Sequence, residues 1–196
     1  MSSNIPDYAD VQAMDTFPKV LAYNARNWGS DVAMREKEFG IWQEFTWKDY
    51  NDRVKWMTLG MRALGVGQGD VVGIIGENRP EWVWAEISAH ALRGMSVGLY
   101  QDSLHEEVAY DKLIELGDDI PTVDHIVYCD PRGMRKYDDP RLLDVEKLYE
   151  MGRALEAKDP GLYDKMVVDT RGDECAILCT TSGTTSKPKM AMLNSG

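Results

Sequence analysis

The chain has 196 residues and a formal net charge of −11, because 33 acidic side chains outnumber 22 basic ones. A chain this acidic repels a phosphate backbone, so nucleic acid is excluded as an expected partner. The hydrophobic fraction of 43% and the charged fraction of 28% are typical of a folded globular protein rather than a disordered one. The length corresponds to one domain, or to one domain and part of another.

The cysteines and the apolar stretches indicate a reducing, cytoplasmic setting. Cys129, Cys175 and Cys179 are odd in number and too few for a closed zinc site, so we expect them to be small buried hydrophobic residues. Residues 1–10 lack the basic flank and apolar core of a signal peptide. The apolar stretch 82–100 is interrupted by charged side chains, so it does not predict a membrane span.

The first half of the chain alternates predicted helices and strands. Thr46 followed by Asp49 resembles a capping box, and apolar residues then recur at helical spacing up to Leu64, before Gly65. A strand, a helix and a strand then follow at the spacing of a βαβ unit, which predicts an α/β fold with a parallel sheet. In chain order, the predictions are a helix over 17–28, strands over 32–36 and 42–45, a helix over 46–64, a strand over 71–75, a helix over 80–92 and a strand over 96–100.

The second half is less regular. Apolar runs predict strands over 125–129, 166–169 and 174–180. Residues 130–160 are rich in charged and turn residues, so we expect surface structure there.

A hydroxyl-rich segment, residues 181–189, follows the last predicted strand. No acid occurs from Cys175 to the end of the chain, where Lys187 and Lys189 are the charged residues. Glycine permits close backbone approach, hydroxyls donate hydrogen bonds and lysine supplies countercharge, so the segment could hold phosphate oxygens. It does not match the G-x-x-x-x-G-K-[ST] phosphate loop. From the chemistry alone, a flexible Ser/Thr linker is an equally good interpretation.

The sequence T-S-G-T-T-S-K-P-K of this segment resembles the T-S-G-T-T-G-x-P-K signature of the adenylate-forming enzymes. Residues 35–47, 73–82 and 97–108 are similar to stretches of one group among them, the long-chain fatty acyl-CoA synthetases. The resemblance covers nearly the whole chain. It implies that residues 1–196 form a partial N-terminal AMP-binding domain, a sheet with flanking helices that ends just after the segment.

The resemblance also implies a reaction and a site. In the family, a fatty carboxylate attacks the α-phosphate of ATP to give an acyl-adenylate, and the thiol of coenzyme A then displaces AMP. The implied substrates are ATP, a long-chain fatty acid and coenzyme A, with Mg²⁺ as the metal and Thr184 as a residue that contacts it. The residues carried over as ATP phosphate contacts are Thr181, Ser182, Gly183, Thr184, Thr185 and Lys189.

Departures from the family pattern restrict this expectation. Ser186 stands where the signature has glycine, and a strand expected after Tyr110 is missing. The family's magnesium-binding glutamate, ribose-binding aspartate, fatty-acid tunnel and C-terminal lysine all lie beyond this chain. We therefore expect a truncated domain that carries the phosphate-binding loop without a complete catalytic site, binds ATP weakly and forms no acyl-CoA.

Two alternatives stay open at this point. The parent could be another adenylate-forming ligase that activates aryl or amino acids. The chain could instead be a non-catalytic remnant or interaction module. A fatty substrate also suggests peripheral membrane association of the parent.

Overall fold

The computed structural model describes residues 13–99, 111, 113, 116, 120–132, 134–181 and 189–195. A short 3₁₀ turn spans Met134–Lys136. In chain order the elements are α1 (Phe17–Asn27), β1 (Val32–Glu38), β2 (Ile41–Thr46), α2 (Trp47–Ala63), β3 (Val71–Ile74), α3 (Pro80–Ala91), β4 (Met95–Gly98), β5 (Ile126–Tyr128), β6 (Leu142–Asp144), α4 (Val145–Lys158), α5 (Leu162–Asp169), β7 (Cys175–Thr181) and β8 (Lys189–Asn194).

Helix α2 begins at the predicted capping box. The Asp49 backbone N–H donates to the Thr46 hydroxyl at 3.1 Å, and the Thr46 N–H donates to the Asp49 carboxylate at 3.0 Å. These hydrogen bonds satisfy two backbone donors at the helix start. The Thr46 hydroxyl also donates to the Asp49 carboxylate, and this bond, together with the bond from the Thr46 N–H, holds the pKa of Asp49 below its usual range. The helix ends beside Gly65, whose φ of +99° suits glycine and stops the helical path.

The main sheet confirms the predicted α/β fold. Its strand order is β3-β4-β7-β8, in which β3, β4 and β7 run parallel and β8 returns antiparallel to β7. The unit β3–α3–β4 is the predicted βαβ crossover. Two smaller sheets accompany it, an antiparallel β1–β2 hairpin and a parallel β5–β6 pair.

The apolar core lies mainly between helices. Helices α2 and α4 approach so closely that a Cβ at Gly60 would lie 2.3 Å from the carbonyl oxygen of Leu148. Leu148 and Tyr149 from α4 are 0% and 2% exposed. The Lys55 ammonium of α2 also lies 2.8 Å from the Glu156 carboxylate of α4. The buried cluster includes Leu21, Tyr50, Val54, Met57, Leu59, Trp84, Ile87, Leu92, Val145, Leu148, Tyr149, Tyr163 and Val167.

Three expectations from the sequence are wrong. Residues 130–160 contain α4, a core helix, because four residues at helical spacing (Val145, Leu148, Tyr149 and Gly152) form a buried stripe under a charged outer face. Residues 166–169 end helix α5 rather than forming a strand, and α5 begins after Gly161 at a φ of +91°. The cysteines are not buried: Cys179 is exposed, and Cys129 and Cys175 are half-buried.

The remaining predicted elements are present with small shifts of their ends. The strand predicted over 125–129 is β5, and the strand predicted over 174–180 is β7. Tyr110 and the junction after it lie outside the described residues, so the missing strand stays an expectation. Across the part of the chain that is described, none of the helices combines the length and apolarity needed to cross a bilayer.

Candidate functional site

The hydroxyl-rich segment joins the two antiparallel strands at one side of the main sheet. Thr181 ends β7, Lys189 begins β8, and these two residues are direct partners in the strand register. The backbone therefore leaves and re-enters the sheet at one point, and the segment forms the connection of a hairpin. Ser182, Gly183, Thr184 and Thr185 lie outside the described residues, as does Ser186. Their assignment as phosphate contacts stays a prediction.

Strand β7 places this connection at the carboxyl edge of the parallel strands. Its sequence C-A-I-L-C-T-T is apolar and rich in residues that favour strands. It pairs with β4 through Ser96↔Ile177 and Val97↔Leu178. Because β3, β4 and β7 are parallel, the turn after β3 lies at the same edge as the segment. Ligands of open α/β sheets bind at this edge, outside the carboxyl ends of the strands.

An arginine that the sequence analysis did not single out lies at this edge. Arg79 precedes α3, and its Nε lies 3.2 Å from a Glu36 carboxylate oxygen and 3.7 Å from one of Glu81. The two carboxylates balance its charge, so Arg79 ties the β1–β2 hairpin to the edge. In the sequence, Arg79 is visible only as part of an R-P-E stretch at the start of a helix. This stretch does not reveal that its partner is Glu36, 43 positions earlier.

A second polar cluster lies at the opposite, amino edge of the strands. The Nε2 atom of His90 lies 3.2 Å from the Ser96 hydroxyl, which in turn lies 3.4 Å from the carbonyl oxygen of Ala176. Burial lowers the pKa of His90 to about 4, so the ring is neutral near pH 7. Arg93 forms a bidentate ion pair with Glu174, and this hydrogen bonding lowers the pKa of Glu174.

This amino-edge cluster holds the sheet to the helices. The small cavity beside it, lined by Thr16, His90 and Thr170, is too small for a nucleotide. The buried His90 therefore has a structural role, whereas His125 is exposed. Nor, within the described ranges, do histidine, cysteine and carboxylate side chains form a group that could hold a metal ion.

Comparison with known proteins gives a family and a set of relatives. A family model described as AMP-binding enzyme matches residues 21–196. Long-chain-fatty-acid–CoA ligase ACSBG2 of Xenopus laevis is 25% identical over 91% of this chain. The chain spans about a quarter, 26%, of the length of that curated relative.

Solved structures show the same fold. The N-terminal domain of FACL13 from Mycobacterium tuberculosis has a TM-score of 0.62 at 21% identity, over 92% of this chain and 44% of that one. The fatty acyl-adenylate ligase from L. pneumophila, solved with acyl adenylate and pyrophosphate, has a TM-score of 0.66 at 14% identity, over 96% of this chain and 32% of that one. At these identities the likeness shows the fold of the N-terminal part of adenylate-forming enzymes. Since the family model covers the fold from within α1 through β8, the chain belongs to the AMP-binding enzyme family.

Proposed function

We propose that this chain is the phosphate-binding part of an ATP-dependent fatty acid–CoA ligase. One observation supports the proposal: in a chain of this family, the two ends of the hydroxyl-rich segment, Thr181 and Lys189, are paired at the carboxyl edge of the sheet. Such an edge is where α/β proteins bind their ligands.

The residue types of the segment fit the phosphates of ATP. The hydroxyls of Ser182, Thr184 and Thr185 donate hydrogen bonds to phosphate oxygens, and Gly183 lets the backbone approach them. The ammonium group of Lys189 supplies countercharge, which stabilises the departing pyrophosphate as the bond between the α- and β-phosphates breaks. Mg²⁺, when bound, neutralises part of the phosphate charge, and the Thr184 hydroxyl is the contact that this segment offers it.

The proposed reaction has two steps. The carboxylate oxygen of a fatty acid attacks the α-phosphorus of ATP, which forms an acyl-adenylate and releases pyrophosphate. The thiolate sulfur of coenzyme A then attacks the acyl carbon, which forms the thioester and releases AMP. The fatty acid is proposed because the curated relative reported above is named for it, and an aryl or amino acid is the alternative.

The 196-residue chain alone should bind ATP weakly and form no thioester. The region shared with the curated relative is 26% of that relative's length, so most of the ligase lies outside the shared region. Formation of palmitoyl-CoA by the purified chain, given palmitate, ATP, Mg²⁺ and coenzyme A, would overturn this part of the proposal. A parent protein that releases pyrophosphate with benzoate but not with palmitate would overturn the fatty acid assignment.

Calorimetry with MgATP tests the phosphate site itself. We expect Lys189→Ala to weaken binding by about ten- to a hundred-fold, the usual loss for one charge-assisted contact. Lys187→Ala is the matched control, because it removes the same charge from the same segment at a position that the signature leaves open. It should change affinity less than about threefold, which is the scale of a screened long-range charge effect. Equal losses in both variants, or no binding by the unmodified chain, would contradict the site.

A further inference from the structure

The β1–β2 hairpin ends in a tip that projects from the body of the molecule. Every residue from 37 to 44, which we call the hairpin tip, is exposed, whereas Phe45 and Thr46 at the base are half-buried. Successive residues of a strand point to opposite faces. Exposure of the whole run therefore means that both faces of the tip are free of the body.

The end of the tip is apolar where water-exposed strands are normally polar. Phe39 is 86% exposed, Ile41 65% and Trp42 61%. Residues 39–42 carry no charge. A concentration of large apolar side chains on a projecting turn contributes nothing to the core and is typical of a contact surface.

The conformation of Phe39 argues that its side chain is not kept for folding. Phe39 and Gly40 form the two-residue turn, with φ values of 47° and 83°. Such a turn favours asparagine or glycine at both positions, and a phenylalanine in the left-handed region is strained. The strain is not offset by packing, because the ring is exposed.

The base of the hairpin holds the tip in a fixed position. Glu36 accepts a hydrogen bond from Arg79 at 3.2 Å, and the ring of Phe45 packs edge-on against Trp84 with centroids 5.4 Å apart. Since Arg79 lies at the carboxyl edge of the sheet, the hairpin is anchored beside the edge that carries the hydroxyl-rich segment.

We propose that the hairpin tip inserts into the interfacial layer of a zwitterionic phospholipid bilayer. Trp and Phe rings prefer this layer, where an apolar ring body meets polar headgroups. The ammonium of Lys37 lies 5.9 Å from the centroid of the Trp42 ring, so its charge can stay at headgroup level while the ring enters.

The charges of the chain select a neutral surface over an anionic one. The net charge of −11 is repelled by anionic lipid. Glu38, the register partner of Ile41, lies level with the apolar end, and Glu44, the partner of Arg35, lies behind it. Both carboxylates must stay hydrated, which limits the rings to the headgroup layer and keeps the tip out of the hydrocarbon core. The contact thus rests on apolar burial rather than on basic residues.

The membrane contact of the hairpin tip goes beyond the proposed function. Only the benefit of that contact, which is access to a membrane-dissolved substrate, rests on the proposed function. A long-chain fatty acid partitions into bilayers, so a ligase held at the surface would meet its substrate there. Vesicle binding measured without ATP, fatty acid or coenzyme A tests the contact alone. Failure of the contact therefore leaves the ligase proposal standing, and the reverse also holds.

Sedimentation with phosphatidylcholine vesicles tests the contact. We expect the 196-residue chain to sediment with the vesicles, and Phe39→Asn to weaken partitioning by about tenfold, the effect of removing one aromatic ring from the interface. Asparagine suits the turn, so the melting temperature of the Phe39→Asn variant should equal or exceed that of the unmodified chain. This measurement separates lost binding from lost folding.

Two controls remove other strongly exposed apolar side chains elsewhere in the chain. Val168 in α5 is 70% exposed and Met192 in β8 is 68% exposed. Val168→Ser and Met192→Ser should leave partitioning unchanged, and replacing half of the phosphatidylcholine with phosphatidylglycerol should weaken it at low salt. Four results would overturn the proposal: no binding, undiminished binding by Phe39→Asn, equal losses in the controls, or tighter binding to the anionic vesicles. Self-association that Phe39→Asn abolishes, without vesicle binding, would assign the tip to a second copy of the chain instead.

Discussion

The helical layer of this molecule is more tightly packed than its main sheet. Helices α2, α3 and α4 supply most of the buried cluster, and the backbones of α2 and α4 touch at Gly60 and Gly152. The sheet carries exposed apolar residues on its outer strands, including Val71 on β3 and Met192 on β8. The difference teaches that stability rests mainly on helix packing, whereas the sheet positions the two ends of the hydroxyl-rich segment, Thr181 and Lys189. Substitutions in the helical layer should therefore lower the free energy of unfolding far more than substitutions in the loops of the sheet.

The largest expected effect is at the crossing of α2 and α4. A Cβ at Gly152 would lie 2.0 Å from the carbonyl oxygen of Trp56, so Gly152→Ala must push the two helices apart. We expect a loss of about 4 kcal/mol in the free energy of unfolding, measured by urea denaturation, despite the roughly 1 kcal/mol that alanine gains in a helix.

The matched change in the sheet is Gly76→Ala, in the turn after β3. A Cβ there meets no heavy atom within 4 Å, so the free energy of unfolding should change by less than about 0.5 kcal/mol. Similar losses in both variants would contradict the contrast between the two layers.

The second largest expected effect is a pH dependence of stability at His90, where the helical layer meets the sheet. Burial lowers its pKa from 6.5 to about 4 in the folded state, so the unfolded chain binds more protons between these values. Stability must therefore fall as the pH falls from about 6.5 to about 4, and rise again in the reverse direction. This lowering of the pKa corresponds to a loss of about 3 kcal/mol in the free energy of unfolding by pH 4.

Urea denaturation between pH 4 and pH 7 measures this slope. His90→Gln should flatten it, whatever the variant does to stability at pH 7. His125→Gln, at an exposed position, should leave the slope unchanged. Burial raises the pKa of Glu86, which adds a dependence of opposite sign that all three proteins share. An unaltered slope in His90→Gln would show that His90 does not carry the effect.

The smallest effect concerns a hydroxyl pair that ties the start of α1 to the end of α5. The hydroxyl oxygens of Thr16 and Thr170 lie 2.7 Å apart and are buried, and Thr170 donates to the carbonyl oxygen of Val167. Thr16 must then donate to Thr170. Thr170→Val leaves the Thr16 hydroxyl without an acceptor and should lower the free energy of unfolding by about 2 kcal/mol. Thr16→Val removes only the hydrogen bond that the Thr170 hydroxyl accepts and should lower it by about 1 kcal/mol.

Thermal and urea unfolding of the two valine variants measure the difference. Valine keeps the shape of threonine, so packing changes little. A larger loss in Thr16→Val than in Thr170→Val would reverse the donor assignment.

Local signals made parts of this fold predictable. The capping box at Thr46 and the stop at Gly65 act within one turn of chain, so α2 was predicted with nearly its observed ends. Helix α4 was missed because its charged outer face dominates the composition of residues 130–160, although the helical spacing of Val145, Leu148 and Tyr149 was present. In α5, the neighbouring residues Val167 and Val168 favoured a strand, and packing overrode that preference.

The sequence predicts which residue types form the candidate site but not where the site lies in the fold. The signature points to hydroxyls and Lys189, whereas the pairing of Thr181 with Lys189 depends on how β8 returns along β7. The hairpin tip shows the same limit. Ile41 and Trp42 have the composition of a buried strand, and only the tertiary structure shows that they lie in water.

The pairing of β4 with β7 has a consequence for synthesis of the chain. Ser96 on β4 and Ala176 beside it on β7 are 80 positions apart in sequence. At typical translation rates, β4 emerges from the ribosome roughly 4 to 16 s before the strand that covers its edge. The β7–β8 hairpin, by contrast, closes within microseconds of its emergence. The nascent β3–α3–β4 unit must therefore wait with an open edge, which is the stage at which a chaperone would be most useful to it.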